Sequence, residues 1–266
     1  MKIALGQMEV IQADFGANLE RAEEFAARAK DAGADMLVLP EMFACGFFYK
    51  KNLQFCIDRP DEIRARLSRA AEKNGLWICA SAPHLESGKA IPYNRCWLFD
   101  SSGGVAASYD KIHLFSPFNE DRHTARGLEV KTADTKFGKI GLAVCYDLRF
   151  PKMFADMAAA GAKLVIVCAA WPHPRLDHWQ TLVKARAVEN QIFIAAVNQC
   201  GRENFGGKTA DYFGASQVVD PWGRVIADAG TDVRNSLAVA EIDAALVEET
   251  RAKMPSIKDR VAGIDY

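Results

Sequence analysis

The sequence lacks the motifs that define several large classes of binding protein and enzyme. None of its seven cysteines lies three positions from another in a C-x-x-C pair, a spacing that zinc sites and dithiol redox centres commonly use. No G-x-G-x-x-G motif occurs, and this motif is the fingerprint of dinucleotide-binding folds. His173 and His178 have no carboxylate or cysteine at a zinc-ligand spacing. We therefore expect neither a metal site nor a dinucleotide cofactor.

Long apolar runs and an excess of one charge are also missing. No stretch reaches the roughly 20 apolar residues that a membrane-spanning helix needs, and the N-terminus enters a strand pattern without the apolar region of a signal peptide. The 33 Lys and Arg residues are matched by 34 Asp and Glu residues, so the net charge is −1. Such a balance does not indicate electrostatic binding to nucleic acid or to a membrane surface. We expect a cytoplasmic protein that acts on a small neutral or anionic molecule.

The cysteines that are present do not form a disulfide framework. Their number is odd, and six of them stand scattered in apolar surroundings: Cys45, Cys56, Cys79, Cys96, Cys168 and Cys200. Cysteine is among the residues most often buried in protein cores, and cytosolic thiols stay reduced. We interpret these six as buried thiols and not as disulfides or metal ligands.

The composition, 50% hydrophobic and 25% charged, supports a full core, and we predict one domain over residues 1–266. Strand and helix patterns alternate in both halves of the chain. The predicted strands 94–100 and 105–109 are joined by Ser-Ser-Gly-Gly, a hairpin connection that makes them antiparallel. The fold class is therefore α/β, with two mixed sheets packed face to face and helices outside. Helices are predicted over 18–32, 61–73, 152–160 and 177–191.

The most informative stretch is residues 138–151, where a short apolar run leads into a turn. Lys139–Val144 has strand length, Cys145 follows it directly, and Pro151 opens a helical pattern, since proline suits a first helical turn. A thiol on such a turn is held at the sheet edge, and the positive end of the following helix can lower its pKa. Cys145 is the candidate nucleophile, although a lone cysteine is more typical of a core.

Other charged residues stand where apolar runs end. Glu41 follows Leu-Val-Leu-Pro at the carboxyl end of a predicted strand, where open α/β sheets place their chemistry and where burial raises the pKa of a carboxyl. Lys111 lies among apolar neighbours after the predicted hairpin, either as a surface charge or as a fixed cation. The polar loop 116–127, which contains Glu120, is long enough to cover a binding site. Taken singly, these residues also fit ordinary loop positions.

A cysteine–histidine hydrolase is an alternative that the residues leave open. His113 lies two residues after Lys111, and Cys-His pairs are common in nucleophilic catalysis. The sequence does not fix the distance between Cys145 and His113. On its own, His113 is more typical of a hydrogen-bonded structural residue.

Three stretches taken together resemble the nitrilase superfamily of carbon-nitrogen hydrolases. They are Pro-Glu-Met-Phe at 40–43, Tyr-Asp-Lys-Ile-His-Leu-Phe at 109–115 and Val-Cys-Tyr-Asp-Leu-Arg-Phe-Pro at 144–151, in that order. Arg-Ala-Val-Glu-Asn-Gln at 186–191 and Val-Asp-Pro-Trp-Gly at 219–223 extend the match over nearly the whole chain. Within the superfamily the chain looks most like the omega-amidase and nitrilase-like branch, which hydrolyses carboxamides.

The resemblance implies a catalytic triad of Glu41, Lys111 and Cys145, with a second glutamate at Glu120. It also implies a four-layer α-β-β-α sandwich, a homodimer joined along helices near the nucleophile turn, and no cofactor. The Asn-Glu-Asp-Arg sequence around Glu120 departs from better-known members. In this interpretation Glu41 takes the proton of Cys145, and Lys111 with the backbone N–H of Tyr146 stabilises the oxyanion that precedes a thioester.

The resemblance further implies a short carboxamide substrate that carries a free carboxylate. Arg149 stands four residues after Cys145, the offset at which related carbamoyl-amino-acid hydrolases hold a carboxylate, and Arg175 is a second candidate. Phe43 and Trp171 are candidates for an apolar wall that selects a short chain. The alternatives are an N-carbamoyl compound, a deaminated-glutathione-like amide, or a non-catalytic or acyl-transferring relative of the fold.

The C-terminal tail, residues 254–266, contains apolar residues without a period: Met254, Ile257, Val261 and Tyr266. Such a segment needs a surface to pack against, and a second subunit offers one. We predict that this tail and the helix after the nucleophile turn belong to a homodimer interface.

Overall fold

The computed structural model describes residues 1–205 and 208–261 and contains two six-stranded sheets. The first has the order β14-β1-β2-β3-β4-β5, built from β1 (Lys2–Gln7), β2 (Met36–Val38), β3 (Trp77–His84), β4 (Tyr93–Phe99), β5 (Val105–Asp110) and β14 (Ser236–Glu241). The second has the order β13-β12-β9-β8-β7-β6, built from β6 (Lys131–Thr135), β7 (Gly138–Val144), β8 (Leu164–Ala169), β9 (Phe193–Asn198), β12 (Gln217–Val219) and β13 (Val225–Asp228).

Both sheets are mixed, as the predicted hairpin requires. In the first, β1, β2 and β3 are parallel while β4, β5 and β14 run antiparallel to their neighbours. In the second, β7, β8 and β9 are parallel while β6, β12 and β13 are antiparallel. A separate antiparallel pair, β10 (Cys200–Phe205) and β11 (Lys208–Phe213), follows β9. The segments that follow the carboxyl ends of β2, β7 and β8 meet at one place.

Helices cover the outer faces of the two sheets and give four layers. The first sheet carries α1 (Phe15–Asp31) and α3 (Glu62–Asn74), and the second carries α5 (Pro151–Ala159) and α6 (Leu176–Asn190). The remaining helices are α2 (Tyr49–Asp58), the short α4 (Glu120–His123) and α7 (Ala245–Lys253). The α-β-β-α sandwich is thereby confirmed. Among the described residues, no helix combines the length and apolar character needed to cross a membrane.

The core lies mainly between the two sheets. All six residues of β8 are buried, because a central parallel strand is covered on both faces and so reads as a continuous apolar run. The outer layer of the first sheet packs on α1, whose buried face consists of Asn18, Leu19, Ala22, Phe25, Ala26 and Ala29.

Four elements were not anticipated from the sequence: α2, β6, β10 and β11. Helix α2 buries only Asn52, Phe55 and Cys56, so its apolar periodicity is weak. The four predicted helices are present, with ends shifted by one to three residues. The predicted loop 116–127 contains a 3-10 turn at Ser116–Phe118 and then α4.

The described part of the tail contacts its own chain. Gln191 donates a hydrogen bond from Nε2 to the carbonyl of Met254 at 2.6 Å, and Arg260 donates to Oδ1 of Asn190 at 3.2 Å. Residues 254–261 therefore pack near the end of α6. Tyr266, also part of the predicted interface, lies outside the described residues.

Candidate active site

Glu41, Lys111 and Cys145 meet at one place between the two sheets. Glu41 follows β2 and Lys111 follows β5 in the first sheet, whereas Cys145 follows β7 in the second. Lys111 Nζ lies 2.7 Å from Glu41 Oε1, and the Glu41 carboxyl is close enough to the Cys145 thiol to raise the pKa of that thiol. The structure therefore brings together three residues that are distant in sequence.

Lys111 is a buried cation held between two carboxylates. Its side chain is 1% exposed, and Nζ lies 2.7 Å from Glu41 Oε1 and 2.8 Å from Glu120 Oε2. Burial alone favours the neutral amine, but the negative charges of Glu120 and Glu41 outweigh it and hold the pKa of Lys111 well above its usual value. Lys111 therefore supplies a fixed positive charge beside Cys145.

Glu41 is fully buried and its carboxyl is held at both oxygens. Oε1 accepts hydrogen bonds from Lys111 and from Asn94 Nδ2 at 2.8 Å, and Oε2 accepts one from the backbone N–H of Ala170 at 3.0 Å. Burial raises the pKa of this carboxyl, and the charge of Glu120 adds to the effect while Lys111 opposes it. A carboxyl with a raised pKa suits proton transfer near neutral pH.

The nucleophile turn corrects one expectation. Burial and the neighbouring Glu41 carboxylate raise the pKa of the Cys145 thiol well above its usual value, whereas the sequence predicted a pKa lowered by the following helix. The reason is that α5 begins only at Pro151, after a 3-10 segment at Cys145–Arg149, so no α-helix starts at the thiol. A thiol with a raised pKa requires a base to become the thiolate. Cys145 itself has a left-handed backbone with φ of 46°, a conformation common at functional sites.

Asp147 fixes this turn and was missed by the sequence analysis. Its Oδ2 accepts hydrogen bonds from Tyr109 Oη at 2.7 Å and from the Val144 N–H at 2.8 Å. Its Oδ1 accepts the N–H of His113 at 3.1 Å and faces His113 Nδ1 at 2.7 Å. Asp147 therefore ties the end of β5 to the nucleophile turn. A carboxylate two residues after the nucleophile was the available signal.

His113 is a structural residue in this arrangement. Its ring stacks on Phe150, with the ring centroids 3.5 Å apart, and its Nδ1 is occupied by Asp147. Within the described part of the chain, no hydrogen bond joins His113 to Cys145, because the polar partner of His113 is Asp147. The structure therefore does not support the cysteine–histidine alternative.

Asn94 links the two glutamates and was also not anticipated. Its Nδ2 donates to Glu41 Oε1 at 2.8 Å and to Glu120 Oε1 at 3.0 Å. Glu120 Oε2 in turn accepts the backbone N–H of Phe115 at 2.7 Å. Glu120 is 1% exposed and lies beside Lys111. The resemblance implies a second glutamate in this place.

Comparison with known proteins identifies this geometry. The family model for carbon-nitrogen hydrolases matches residues 2–252. The chain belongs to the carbon-nitrogen hydrolase family. The protein is therefore an amidase of the nitrilase superfamily, the Glu-Lys-Cys group of enzymes that its motifs predicted.

The relatives of this carbon-nitrogen hydrolase match it along nearly its full length. The 2-oxoglutaramate amidase of Bacillus subtilis is 32% identical over 242 residues, which covers 91% of this chain and 90% of the relative. The omega-amidase of Mus musculus is 31% identical over 274 residues, with 99% and 96% covered. An amidase from Nesterenkonia sp. AN1, solved with the acetamide moiety of fluoroacetamide covalently added at its active-site cysteine, superposes with a TM-score of 0.84 at 32% identity, covering 98% of this chain and 94% of that one.

A small cleft opens above the thiol of this carbon-nitrogen hydrolase. It holds about 260 Å³ of space not filled by atoms, part of it open to solvent. The residues that line it are Phe115, Cys145, Tyr146, Arg149, Ala170, Trp171, Pro172 and Arg175. Four of the five residues predicted to bind substrate therefore line the cleft.

Phe43 is the exception, and its prediction as a wall of the site was wrong. Its side chain is fully buried and packs in the outer core of the first sheet, with residues of α1 and α3. The chain turns after Glu41, so Phe43 points away from the cleft into this core. Phe115, from the loop after Lys111, occupies the cleft instead.

The two arginines of the cleft have aromatic neighbours but no acidic ones. The Arg149 guanidinium lies 4.6 Å from the Trp171 ring centroid, and its Nη2 lies 3.2 Å from His178 Nδ1. Arg175 lies 5.9 Å from the ring centroid of Phe115. In the described residues, neither arginine has a carboxylate oxygen within the 4.0 Å of an ion pair. Burial and the charge of Arg175 lower the pKa of Arg149, so an anion in the cleft would be favoured.

The other cysteines are free and buried, as predicted. Three of them, Cys79, Cys96 and Cys168, have Sγ atoms within 4.8 Å of one another, with 3.5 Å between Cys79 and Cys96. This is the only group of potential metal ligands among the described residues. The three thiols belong to the core between the sheets and not to the cleft.

Proposed function

We propose that this amidase hydrolyses a short carboxamide bearing a distal carboxylate, as an omega-amidase does, through a thioester on Cys145. The observation that carries the proposal is the pair of arginines without acidic partners, Arg149 and Arg175, on the cleft that opens above the thiol. A guanidinium pairs with a carboxylate through two parallel hydrogen bonds. The names of the relatives, omega-amidase and 2-oxoglutaramate amidase, support the same substrate class.

The first half of the proposed reaction forms the thioester. Glu41 accepts the proton of the Cys145 thiol as the sulfur attacks the amide carbon, and the carbonyl oxygen becomes an oxyanion. Lys111 and the backbone N–H of Tyr146 stabilise that charge, a contribution of about 10²–10³ in rate for each donor. Glu41 then gives its proton to the amide nitrogen, the C–N bond breaks, and ammonia leaves.

The second half releases the acid. Glu41 takes a proton from water, the hydroxyl oxygen attacks the thioester carbon, and the C–S bond breaks as the sulfur recovers the proton. Proton transfer of this kind contributes about 10²–10⁴ in rate. The same carboxyl serves both halves because Ala170, Asn94 and Lys111 hold it in one orientation.

Glu120 has a distinct part in this scheme. When Glu41 accepts a proton it loses its negative charge, and Lys111 would then lack a counter-ion in a buried site. Glu120, 2.8 Å from Lys111 Nζ, keeps the amine charged through that step, since a nearby anion favours the cationic form. We therefore assign Glu120 to holding Lys111, with Asn94 linking the two carboxylates.

A longer amide is the second candidate, and a groove outside the cleft favours it. The groove shares Pro172 and Arg175 with the cleft and holds about 1610 Å³ of unfilled space, part of it open to solvent. Its aromatic walls include Phe47 and Tyr49. A substrate of the deaminated-glutathione type would extend from Cys145 into this groove, whereas a short amide would end at Arg149.

The test compares matched amides with and without the distal carboxylate. We expect the wild-type enzyme to prefer the carboxylate-bearing amide by about 10- to 100-fold in kcat/KM, the range for a hydrogen-bonded charge pair. Arg149→Ala should abolish the preference, while Arg64→Ala, an arginine of α3 paired with Asp61 on the surface, should retain it. Similar kcat/KM values for both amides in the wild type would contradict the proposal.

We further propose that the enzyme is a homodimer joined along α5, α6 and the tail. Exposed apolar side chains support it: Val188 is 50% exposed on α6 and Met254 is 54% exposed in the tail, and such groups on one surface mark interaction sites. A mass measurement by light scattering at micromolar concentration is expected to give two chains. A single-chain mass would contradict the dimer.

We also propose a cytoplasmic location, because all seven cysteines are free thiols in a fold that has no disulfide among its described residues. Cell fractionation should find the protein with cytoplasmic markers. Recovery in a secreted fraction would contradict this.

A further inference from the structure

Glu203 is a buried carboxyl that the proposed reaction does not use. It lies on β10, 1% exposed, in the pair of strands that follows β9. Glu41 and Glu120 share Lys111 as a counter-ion, but Glu203 has no Lys, Arg or His within ion-pair distance in the described chain. A buried carboxyl without a counter-ion is costly, so it needs a reason in the structure.

The hydrogen bonds of Glu203 give that reason. Oε2 accepts the backbone N–H of Phe47 at 2.9 Å, and Oε1 accepts Gln199 Nε2 at 2.8 Å. Phe47 belongs to the loop that runs from Glu41 to α2. The carboxyl thus joins the second half of the chain to the loop that follows the proposed base.

The loop is shaped to receive this carboxyl. Gly46 has φ of +63°, and a Cβ added there would lie 2.6 Å from the carboxyl atoms of Glu203. Only glycine tolerates both this backbone conformation and this close approach. Asn52 Nδ2 donates to the Gly46 carbonyl at 2.9 Å. Hydrogen bonds from Asn52 and to Glu203 therefore hold the two neighbouring peptide groups of this turn.

The segment after this turn faces the triad. Phe47 belongs to one buried apolar cluster with Ala170, whose backbone N–H holds Glu41 Oε2, and the ring centroids of Phe47 and Tyr49 lie 6.2 Å apart. Burial and the charge of Glu120 raise the pKa of the Tyr49 phenol, with Lys111 opposing. The hydroxyls of Tyr49 and Tyr212 are buried and have no hydrogen-bond partner among the described residues. Buried polar groups without partners are rare and mark places where a ligand or water is bound.

We propose that Glu203 is a positioning residue: its carboxylate holds Gly46 and Phe47 and thereby sets the wall formed by Phe47 and Tyr49 beside the triad. The proposal rests on the proposed function, because that wall borders the groove and cleft assigned to substrate. Glu203 touches neither substrate nor reacting atoms and acts through the backbone of the loop.

Two substitutions separate hydrogen bonding from charge and packing. Glu203→Gln retains an acceptor for the Phe47 N–H. Its new NH₂ group can donate to Gln199 Oε1 once the Gln199 amide turns over, and this oxygen has no hydrogen-bond partner in the part of the chain that the structure describes. Glu203→Leu keeps the volume but leaves the Phe47 N–H without an acceptor. The matched control is Asp220→Ala, which removes another buried carboxyl that accepts backbone N–H groups, those of Trp222 and Arg224, in a turn of the second sheet.

The readouts are the rate at which iodoacetamide alkylates Cys145 and kcat/KM for the best amide, both measured well below each variant's unfolding midpoint. Glu203→Leu should lower both by about 10- to 100-fold, since a displacement of about 1 Å costs about 100-fold in rate. Glu203→Gln should remain within about threefold of the wild type, because the hydrogen bond that orients the loop persists. Asp220→Ala should leave the alkylation rate unchanged.

The proposal is overturned if Glu203→Leu alkylates at the wild-type rate, or if Glu203→Gln is as impaired as Glu203→Leu. The alkylation rate needs no substrate. If the wild type hydrolyses none of the amides, the proposed function fails while the alkylation rates still decide the role of Glu203.

Discussion

Two cationic regions face Cys145, and they differ in what balances their charge. Lys111 is 1% exposed and lies between Glu41 and Glu120. Arg149 and Arg175 are half-buried in the cleft and have aromatic neighbours, and neither forms an ion pair with a carboxylate of the described residues. The difference indicates what each cation does. The carboxylates hold Lys111 in place to stabilise the oxyanion, whereas the two arginines are left to form ion pairs with an anionic ligand.

The energetic consequences of the two arrangements are opposite. Moving a charge out of water costs several kcal/mol, and a buried cluster is stable only while all its partners are present. A half-exposed arginine keeps part of its hydration, so its removal leaves no buried charge behind.

The largest effect should come from the paired cluster. Glu41→Gln removes the proton acceptor, and we expect kcat/KM to fall by about 10²–10⁴ for every amide, with or without a carboxylate. Steady-state kinetics with Glu62→Gln, a substitution on the surface of α3, provide the control. If Glu41→Gln lowered kcat/KM only for carboxylate-bearing amides, the proposed difference between the Lys111 cluster and the two arginines would be contradicted.

Lys111→Met should destabilise the fold by about 3–5 kcal/mol at neutral pH, because it leaves two buried carboxylates without their cation. Arg149→Met should change the free energy of unfolding by less than about 1 kcal/mol. Urea unfolding of both variants measures the difference. The loss for Lys111→Met should shrink at acidic pH, because the Glu41 carboxyl, whose pKa is raised, is protonated there. Equal losses for both variants would contradict the contrast.

Glu203 is a third case, a buried carboxyl without a cation. Burial raises its pKa from 4.5 to about 7, and Glu41 adds to the effect. The folded state therefore binds a proton more tightly than the unfolded state, so this group's contribution to stability is full below about pH 4.5 and declines by about 3 kcal/mol as pH rises to 7.

Unfolding curves between pH 4.5 and 8 should show this decline in the wild type and a smaller one in Glu203→Gln. The titratable groups around Glu203 are the Glu41 carboxyl, the Cys45 thiol and the phenols of Tyr49 and Tyr212, and all four remain in the variant. An identical pH dependence of the two proteins would show that Glu203 does not titrate in this range.

The smallest expected effect is a difference in thiol reactivity. Cys145 should be alkylated by iodoacetamide at least about tenfold faster than the other six cysteines, because Glu41 can accept its proton and the cleft gives access. Cys56 is the informative comparison, since it is equally exposed at 9% against 8% for Cys145. Burial raises the pKa of both thiols, but only Cys145 has the Glu41 carboxyl as a neighbour. Peptide mapping after a short exposure measures this. Faster labelling of Cys56 would contradict the assignment of the nucleophile.

The catalytic residues that follow apolar runs were predictable from the sequence, whereas the buried polar residues within strands were not. Glu41, Lys111 and Cys145 each follow a run of strand length, so their positions at a sheet edge could be read from the pattern. Asn94 and Glu203 lie within strands, where a polar residue in an alternating pattern is normally interpreted as facing solvent. Their burial depends on the packing of the opposite sheet and of the loop after Glu41, which local sequence does not encode.

The errors have the same origin. Phe43 follows Glu41 in the motif, but the chain turns between them, and side-chain direction after such a turn cannot be derived from spacing. The pKa of Cys145 was misjudged because the 3-10 segment that separates it from α5 has no distinctive sequence pattern. Helix α2 was missed because so few of its side chains are buried.

The pairing of β14 with β1 has a consequence for the order in which the enzyme matures on the ribosome. Synthesis delivers Glu41 and Lys111 first and Cys145 later, so the triad is chemically complete once residue 145 has emerged. The outer edge of β1, however, is covered only by residues 236–241, and an uncovered edge strand can pair with another chain. The nascent protein therefore contains all three reactive groups for nearly a hundred residues of further synthesis before β14 covers the free edge of β1. The strand that protects β1 is thus made long after the residues of the triad.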